Sequence, residues 1–214
     1  MPHEVIYFDP LPLEELPEEA IFRRLKYHPH LTHLTPKGRA DIRYKIESAR
    51  ALLALKGAVR RVKIRMLELG KIELETGETI RSVNLREFLD HCEEALLMAA
   101  TAGHRITEEI GRLMERGEMA KASILDAAAS ETTDAALDWL MKYENQLLRR
   151  EGRALMPTRF SPGYGDLGLE NQHTFYQLLE LKRLGLELSP RYVLIPEKSV
   201  TAITGIISSH GKVD

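Results

Sequence analysis

The sequence predicts an α+β fold: a single domain in which several helices pack around a twisted antiparallel sheet, with an irregular arm at the N-terminus. Residues 61–66 alternate cationic and apolar side chains, which is the two-residue period of a half-buried strand. The run 95–102 is almost continuously apolar, as a fully buried strand is. Stretches before and after these strands carry apolar residues at three- and four-residue steps, the period of an amphipathic helix.

The N-terminal segment, residues 1–19, is acidic and interrupted by prolines, which break regular structure. These are Pro2, Pro10, Pro12 and Pro17. We therefore expect an irregular arm that wraps the body of the protein or contacts another molecule, followed by a short helix over 21–27. The arm and short helix make up residues 1–35, and the remaining residues, 36–214, make up the folded domain.

Three histidines, His28, His30 and His33, surround a proline after this short helix. Imidazole is a common ligand of zinc or nickel, so a metal site is one interpretation. No cysteine or acidic residue stands at a matching spacing to complete a ligand set. We therefore interpret the three histidines as part of a solvated loop.

The segment after Pro36 predicts a helix over 36–56 that ends at Gly57. Its apolar residues at these steps are Ile42, Ile46, Ala49 and Leu53. The strand at 61–66 follows, and its polar face carries Arg61, Lys63 and Arg65. That face is most simply solvated, and the alternative is a docking surface for an acidic redox protein. A turn at Thr76 and Gly77 precedes a further strand over 79–83.

After the apolar run 95–102, a helical stripe ends near Gly117. It consists of Ile106, Ile110, Leu113 and Met114. A longer helix is predicted over 118–150, and there Asp134 falls in line with an apolar stripe that includes Leu137 and Met141. A carboxylate within the stripe requires a partner, whereas one at its border would be exposed, and the spacing leaves both open. The following sequence predicts a helix over 169–184 and then a hairpin in which 192–195 pairs with 200–207.

Composition narrows the classes of function. With 214 residues, of which 43% are hydrophobic, the chain is able to bury the core of one domain. Its 30 Lys and Arg residues against 32 Asp and Glu give a net charge of -2, which argues against a basic nucleic-acid module. The longest apolar run is too short to span a bilayer, so we expect no membrane partner. Cys92 is the single cysteine, which is typical of a cytoplasmic protein.

The hexapeptide 159–164, Arg-Phe-Ser-Pro-Gly-Tyr, is where we expect a small ligand. The guanidinium of Arg159 matches a carboxylate or a phosphate and stays charged at physiological pH. Pro162 and Gly163 favour a sharp turn that brings backbone amides close to a ligand, and Tyr164 offers a flat face for a heterocycle. The alternative is an ordinary turn with a solvated arginine and a packed tyrosine.

The same stretch also spells GxGxxG over 163–168, the pattern of a dinucleotide-binding loop. That fingerprint requires a strand before it, a helix after it and further parallel strands. Pro157 and Pro162 interrupt the approach, and the residues that follow leave room for one helix and a hairpin. We therefore reject a Rossmann reading of this motif.

The stretch 159–207 resembles the activation domain of cobalamin-dependent methionine synthase, and most of all the short, free-standing proteins of that family. The pattern RxxxGY at Arg159, Gly163 and Tyr164 and the later IPEKSV at 195–200 carry the resemblance. The upstream segment 99–134 is similar too. The resemblance implies that residues 36–214 are an activation-like domain of this kind.

In that family the domain binds S-adenosylmethionine in a groove that contains RxxxGY. The resemblance implies that Arg159 holds the ligand carboxylate, that the backbone of Phe160, Ser161, Pro162 and Gly163 lines the adenosyl part, and that Tyr164 closes the site. Asp134 falls where the family has an acidic residue near the ligand, although there it is usually glutamate. The larger enzymes also supply a tyrosine after the last strand, and residues 208–214 contain none.

The resemblance further implies a function: reactivation of a methionine synthase whose cobalamin has been oxidised to cob(II)alamin. The domain positions the methyl group of S-adenosylmethionine over a cobalamin that a partner protein carries, while flavodoxin or a similar donor supplies an electron. The chain would then be one component of a methyltransferase in methionine biosynthesis, with no catalytic residue or metal of its own. Two alternatives remain open: a structural partner or chaperone of a corrinoid protein, and a reactivation subunit of another corrinoid methyltransferase system.

Overall fold

The computed structural model describes residues 4–27 and 33–208. Within these residues the chain forms one mixed domain, in which six α-helices pack on an antiparallel sheet that curls into a half-barrel. The strands are β1 (Ile6–Phe8), β2 (Lys56–Glu68), β3 (Lys71–Leu74), β4 (Thr79–Arg81), β5 (Glu94–Thr101), β6 (Arg153–Leu155), β7 (Glu187–Leu188), β8 (Leu194–Ile195) and β9 (Ser199–Ser208). The helices are α1 (Glu18–Arg24), α2 (Pro36–Arg50), α3 (Val83–Phe88), α4 (His104–Glu115), α5 (Met119–Arg150) and α6 (Gln172–Leu178). The predicted α+β class is confirmed.

The main sheet has the strand order β4-β3-β2-β5-β9-β6, and β1 pairs with β2 beside this path. β5 lies at the centre, where Met98 faces Val59 of β2 on one side and Ala202 of β9 on the other. Both faces of β5 are covered: Leu97 belongs to one apolar cluster, and Leu96 and Met98 belong to another. This two-sided burial explains why the run 95–102 lacks polar alternation.

The long helix α5 covers one face of the sheet and also packs against α1, α2 and α4. Its buried side is rich in alanine, which allows close approach of the neighbouring helices and strands. These alanines are Ala122, Ala127, Ala128, Ala129 and Ala136. No helix within residues 4–27 and 33–208 has the length and apolarity needed to cross a membrane.

The N-terminal arm is more ordered than its composition suggests. β1 pairs antiparallel with β2, and Leu11 is buried and donates its amide hydrogen to the carbonyl of Leu55 at 2.8 Å. Phe8 places its ring edge-on against both Trp139 and Tyr143 of α5. The arm therefore wraps the body, which is one of the two alternatives expected from the sequence, and it contributes a strand to the sheet.

Gly57 is not the stop of the preceding helix. Helix α2 ends at Arg50, and Gly57 lies within β2, paired with Phe8 and Ala100. A Cβ atom at this position would lie 2.8 Å from Cδ1 of Leu11. A side chain here would press on Leu11 of the arm, a contact that local sequence does not show.

The predicted hairpin near the C-terminus is wrong. β8 pairs instead with β7, and β9 pairs with β5 and β6 in the main sheet. The predicted helix over 169–184 is also divided, because Glu180 adopts a left-handed conformation with φ of 47°. The strand expected over 79–83 stops at Arg81, since the side chain of Ser82 caps α3 by accepting from the amide of Leu85.

The polar face of β2 also differs from the prediction of a simply solvated surface. Arg61 is largely buried and bridges Glu144 at 2.9 Å and Glu151 at 2.8 Å. Arg65 lies 3.7 Å from Glu73, and Lys63 is exposed. Arg61 is therefore a structural cation between β2 and the C-terminal part of α5.

Candidate functional site

The hexapeptide forms a tight turn. The amide of Tyr164 donates to the carbonyl of Ser161 at 3.2 Å, with Pro162 and Gly163 between them. Gly163 has φ of 92°, which is the left-handed value that the third residue of a type II turn requires. The turn predicted from Pro162 and Gly163 is confirmed, and it leaves the Tyr164 side chain 73% exposed.

Both ends of the loop that contains this turn are fixed to the body. Phe160 exchanges two backbone hydrogen bonds with Ile203 of β9, at 2.9 and 2.8 Å, and its ring lies 4.9 Å from that of Phe88. At the other end, the carboxylate of Asp166 accepts hydrogen bonds from Ser82 and from the amide of Val83, both at 2.5 Å. The loop is therefore held by a strand on one side and by the start of α3 on the other.

The pKa of Asp166 is lowered by these contacts. The hydrogen bond from Ser82 is the largest cause, and the backbone amides of Val83 and Asn84 act in the same direction. Each of these donors stabilises the ionised carboxylate more than the neutral acid.

Arg159 lies at the base of the turn and is bound by two carboxylates of α5. One terminal nitrogen lies 2.7 Å from Asp134, and the other lies 2.5 Å from Asp138. Its side chain is only 19% exposed. Burial alone would lower the pKa of Arg159, but the hydrogen bonds to Asp138 and Asp134, together with the negative charges of these carboxylates, raise it. Arg159 is thus a permanent cation between the hexapeptide and α5.

Asp134 lies on the exposed border of the apolar stripe rather than within it. Ala136 and Leu137 turn inward beside it and are fully buried. Of the two arrangements that the spacing left open, the exposed border is the observed one, and the carboxylate still has Arg159 as its partner.

A cleft of about 490 Å³ opens beside the hexapeptide. Its walls come from α1, from one face of α5, from the turn and from the start of β9 with the segment before it. The lining residues are Arg24, Ser130, Glu131, Thr133, Asp134, Tyr164, Glu197, Lys198, Ser199 and Val200. The structure therefore places Asp134 and Tyr164, two of the predicted site residues, on one cavity, whereas Arg159 lies behind Asp134 and does not line it.

The face of α5 that meets the cleft and Arg159 carries a polar residue every four positions: Asp126, Ser130, Asp134 and Asp138. Such spacing places side chains one above another along a helix. We call these four residues the polar ladder. Lys198 meets its upper part, with its ammonium 2.5 Å from Asp126 and 3.1 Å from Ser130. Arg159 meets the lower part at Asp134 and Asp138.

Sequence reasoning identified Asp134 but missed the rest of the ladder and the role of Lys198. The four-residue spacing of Asp, Ser, Asp and Asp within a helix otherwise rich in alanine was the available signal. Lys198 stands inside the segment 195–200 that was already singled out, yet nothing local indicates that it reaches α5.

Two other motifs stay outside this site. The GxGxxG stretch 163–168 follows no parallel strand, since every strand pair of the described residues is antiparallel. Of the three histidines, His28 and His30 lie outside the described residues, and His33 is exposed. Among the described residues there is no group of three potential ligands close enough to hold a metal ion.

The cleft offers charges of both signs within one small volume. Arg24 and Lys198 are its cations, and Glu131, Asp134 and Glu197 are its anions. Tyr164 adds an exposed aromatic face at the mouth. This combination suits a small molecule that carries both charges and a flat ring.

No protein-family model matches the sequence, and no curated protein matches it. Solved structures do match the fold. One is a crystal structure of the MetH reactivation domain bound to AdoHcy, which superposes with a TM-score of 0.65. The two sequences are 15% identical, and the match covers 99% of this chain and 80% of the chain of the MetH reactivation domain. The chain therefore has the fold of a MetH reactivation domain, as the resemblance in its sequence implies.

Proposed function

We propose that this protein is a stand-alone reactivation subunit that binds S-adenosylmethionine in the cleft and supplies its methyl group to a cobalamin carried by a partner methionine synthase. The observation that carries the proposal is the fold match to a reactivation domain that binds AdoHcy, the demethylated form of this ligand. The coincidence of that fold with a cleft lined by Asp134 and Tyr164 supports it.

The cleft fits the chemistry of this ligand. S-adenosylmethionine combines an amino acid, a cationic sulfur and an adenine, and the cleft combines cations, carboxylates and an aromatic face. Its volume of about 490 Å³ lies within the range of small-molecule sites. In this proposal Tyr164 stacks on the heterocycle, and Asp134 faces the positive end of the ligand.

The turn residues Phe160, Ser161, Pro162 and Gly163 have a positioning role. Their backbone is fixed to β9 at Phe160, and the amide of Gly163 donates to Leu167 at 2.8 Å, so the turn holds Tyr164 at a constant place beside the cleft. Arg159 acts on the ligand through Asp134, whose carboxylate it holds at the cleft wall. Direct binding of a ligand carboxylate by Arg159 would require Asp134 and Asp138 to give way.

Methyl transfer in such a system consumes one electron and one S-adenosylmethionine for each cob(II)alamin and releases AdoHcy. The partner supplies the cobalamin, and flavodoxin or a similar protein supplies the electron. The contribution of this chain is to hold the sulfonium methyl group in a fixed orientation, which lowers the entropic part of the barrier.

Calorimetric titration of S-adenosylmethionine tests the proposal. We expect saturable binding to the wild type and at least tenfold weaker binding to Tyr164→Ala, a loss of about 1.4 kcal/mol. Tyr44→Ala is the matched control, because Tyr44 is 76% exposed on α2, away from the cleft. Absence of binding at millimolar ligand would contradict the proposal.

A second experiment addresses the partner. The protein is added to a methionine synthase that lacks its own activation domain, with cob(II)alamin, reduced flavodoxin and S-adenosylmethionine, and the absorbance of the cobalamin is followed. Methylation that depends on this chain, and that Tyr164→Ala slows, is the expected result. A rate that is the same without the chain would contradict a reactivation role.

A further inference from the structure

Two partly buried cations lie beside the polar ladder, and their surroundings differ. Arg159 contacts two carboxylates, Asp134 and Asp138. Lys198 contacts one carboxylate, Asp126, and one neutral hydroxyl, that of Ser130. The group around Arg159 therefore carries one excess negative charge, whereas the group around Lys198 is neutral.

Among the direct contacts of the two cations, those of Arg159 repel a ligand carboxylate more than those of Lys198 do. Bringing a third carboxylate to Arg159 places three like charges around one cation, which is unfavourable. At Lys198 the incoming carboxylate meets a cation with a single counter-charge. The ammonium has three N–H donors, and Asp126 and Ser130 use two of them.

Lys198 is also the better placed of the two. Its side chain lines the cleft and is 17% exposed, so its charge is felt strongly there. The backbone around it is fixed: the carbonyl of Lys198 accepts from the amide of Ala102 at 2.8 Å, and Ser199 donates to Thr101 at 2.8 Å. The ammonium is therefore held in place before any ligand arrives.

We infer that Lys198 binds the carboxylate of the amino acid part of the ligand, while Asp134 faces its positive end. This inference rests on the proposed function. Ser130, beside Lys198, and Asp134 are one helical turn apart on α5, about 6 Å along the helix axis. A sulfonium amino acid also carries its carboxylate and its positive sulfur several bonds apart. Lys198 is therefore able to contact the carboxylate while Asp134 faces the sulfur.

We test this contact by removing either the carboxylate of the ligand or the positive charge of Lys198. The variant Lys198→Met keeps the length of the side chain and loses its charge. The two ligands are S-adenosylmethionine and its decarboxylated form, which differ only in the carboxylate. We expect Lys198→Met to weaken S-adenosylmethionine at least tenfold and to change the affinity for the decarboxylated ligand less than twofold.

Two further variants separate ligand contact from a structural role. Lys142→Met removes a charge from an exposed position of α5 and should change neither affinity. Asp126→Asn removes the counter-charge of Lys198; if Lys198 binds the ligand, affinity for S-adenosylmethionine should be kept or increased. An equal loss for both ligands in Lys198→Met, or the same loss in Asp126→Asn, would overturn the inference.

The outcome for the wild type distinguishes the two proposals. Tight binding of S-adenosylmethionine to the wild type and to Lys198→Met alike would refute the contact and leave the proposed function standing. Lack of binding to the wild type would refute both.

Discussion

The carboxylate of Asp166 accepts a hydrogen bond of 2.5 Å from the hydroxyl of Ser82, a residue 84 positions earlier in the chain. Ser82 in turn accepts from the amide of Leu85 and so caps α3. One carboxylate therefore joins the loop of the candidate site to the first turn of α3, a helix from a distant part of the sequence. The loop is shaped by a contact that lies outside the cleft.

Asp166→Asn should lower stability in a way that depends on pH. The folded pKa of Asp166 is lowered, so its contribution is present above the pKa of an unfolded aspartate, about 3.9, and is lost as pH falls through the lower folded value. Urea unfolding of the wild type and the variant should differ by a constant amount above about pH 5 and converge in stronger acid. Asp41→Asn, on the exposed side of α2, is the control. A difference that does not change with pH would contradict this account.

Gly163→Ala and Gly111→Ala should change stability in opposite directions. Gly163 has φ of 92°, and placing a side chain there costs about 1–2 kcal/mol. Gly111 lies inside α4, where an added Cβ meets nothing within 4 Å, so alanine should gain about 1 kcal/mol. Thermal unfolding of both variants measures the contrast. Equal effects would mean that the turn relaxes to a conformation that alanine adopts freely.

Glu144→Gln should be destabilising. The Glu144 side chain is 1% exposed, and it pairs with Arg61 at 2.9 Å. Arg61 keeps Glu151 as a second partner at 2.8 Å, so its charge stays partly compensated and we expect a loss of about 1–3 kcal/mol. The double variant Arg61→Met with Glu144→Leu should recover most of this in denaturant unfolding, because no buried charge remains at the pair. A double variant as unstable as the single one would show that Arg61 matters chiefly through Glu151.

Gly205→Ala should disturb the core, and Cys92→Ala should partly rescue it. A Cβ atom at Gly205 would lie 2.4 Å from the sulfur of Cys92 and 2.9 Å from that of Met156. Burial raises the pKa of the Cys92 thiol to about 11, so this sulfur is a neutral packing atom. We expect Gly205→Ala to cost about 1–3 kcal/mol through overpacking. The double variant should be more stable than the sum of the single effects predicts, as measured by a double-mutant cycle.

Local patterns were sufficient for much of this fold. The strand at 95–102 was predicted because a strand that is buried on both faces is a continuous apolar run. The helix 118–150 was predicted because its apolar residues recur with the helical period. The turn at Pro162 and Gly163 was predicted for the same reason, since it depends on the backbone angles of two neighbours.

What failed depends on contacts between distant segments. The last strands were predicted as a hairpin because they are adjacent in sequence, yet β9 pairs with β5 and β6. Gly57 was taken for a helix stop, whereas its role is set by Leu11 crossing over it. Likewise, local sequence does not show that Asp134 and Asp138 are bound to Arg159.

The polar ladder is carried by a single uninterrupted helix of 32 residues. Each added or deleted residue turns everything beyond it by about 100°. One insertion between Asp126 and Asp138 would therefore separate the partner of Lys198 from the partners of Arg159 and swing the alanines away from the sheet. The α5 wall of the cleft therefore tolerates the exchange of single side chains more readily than a change in the length of the helix.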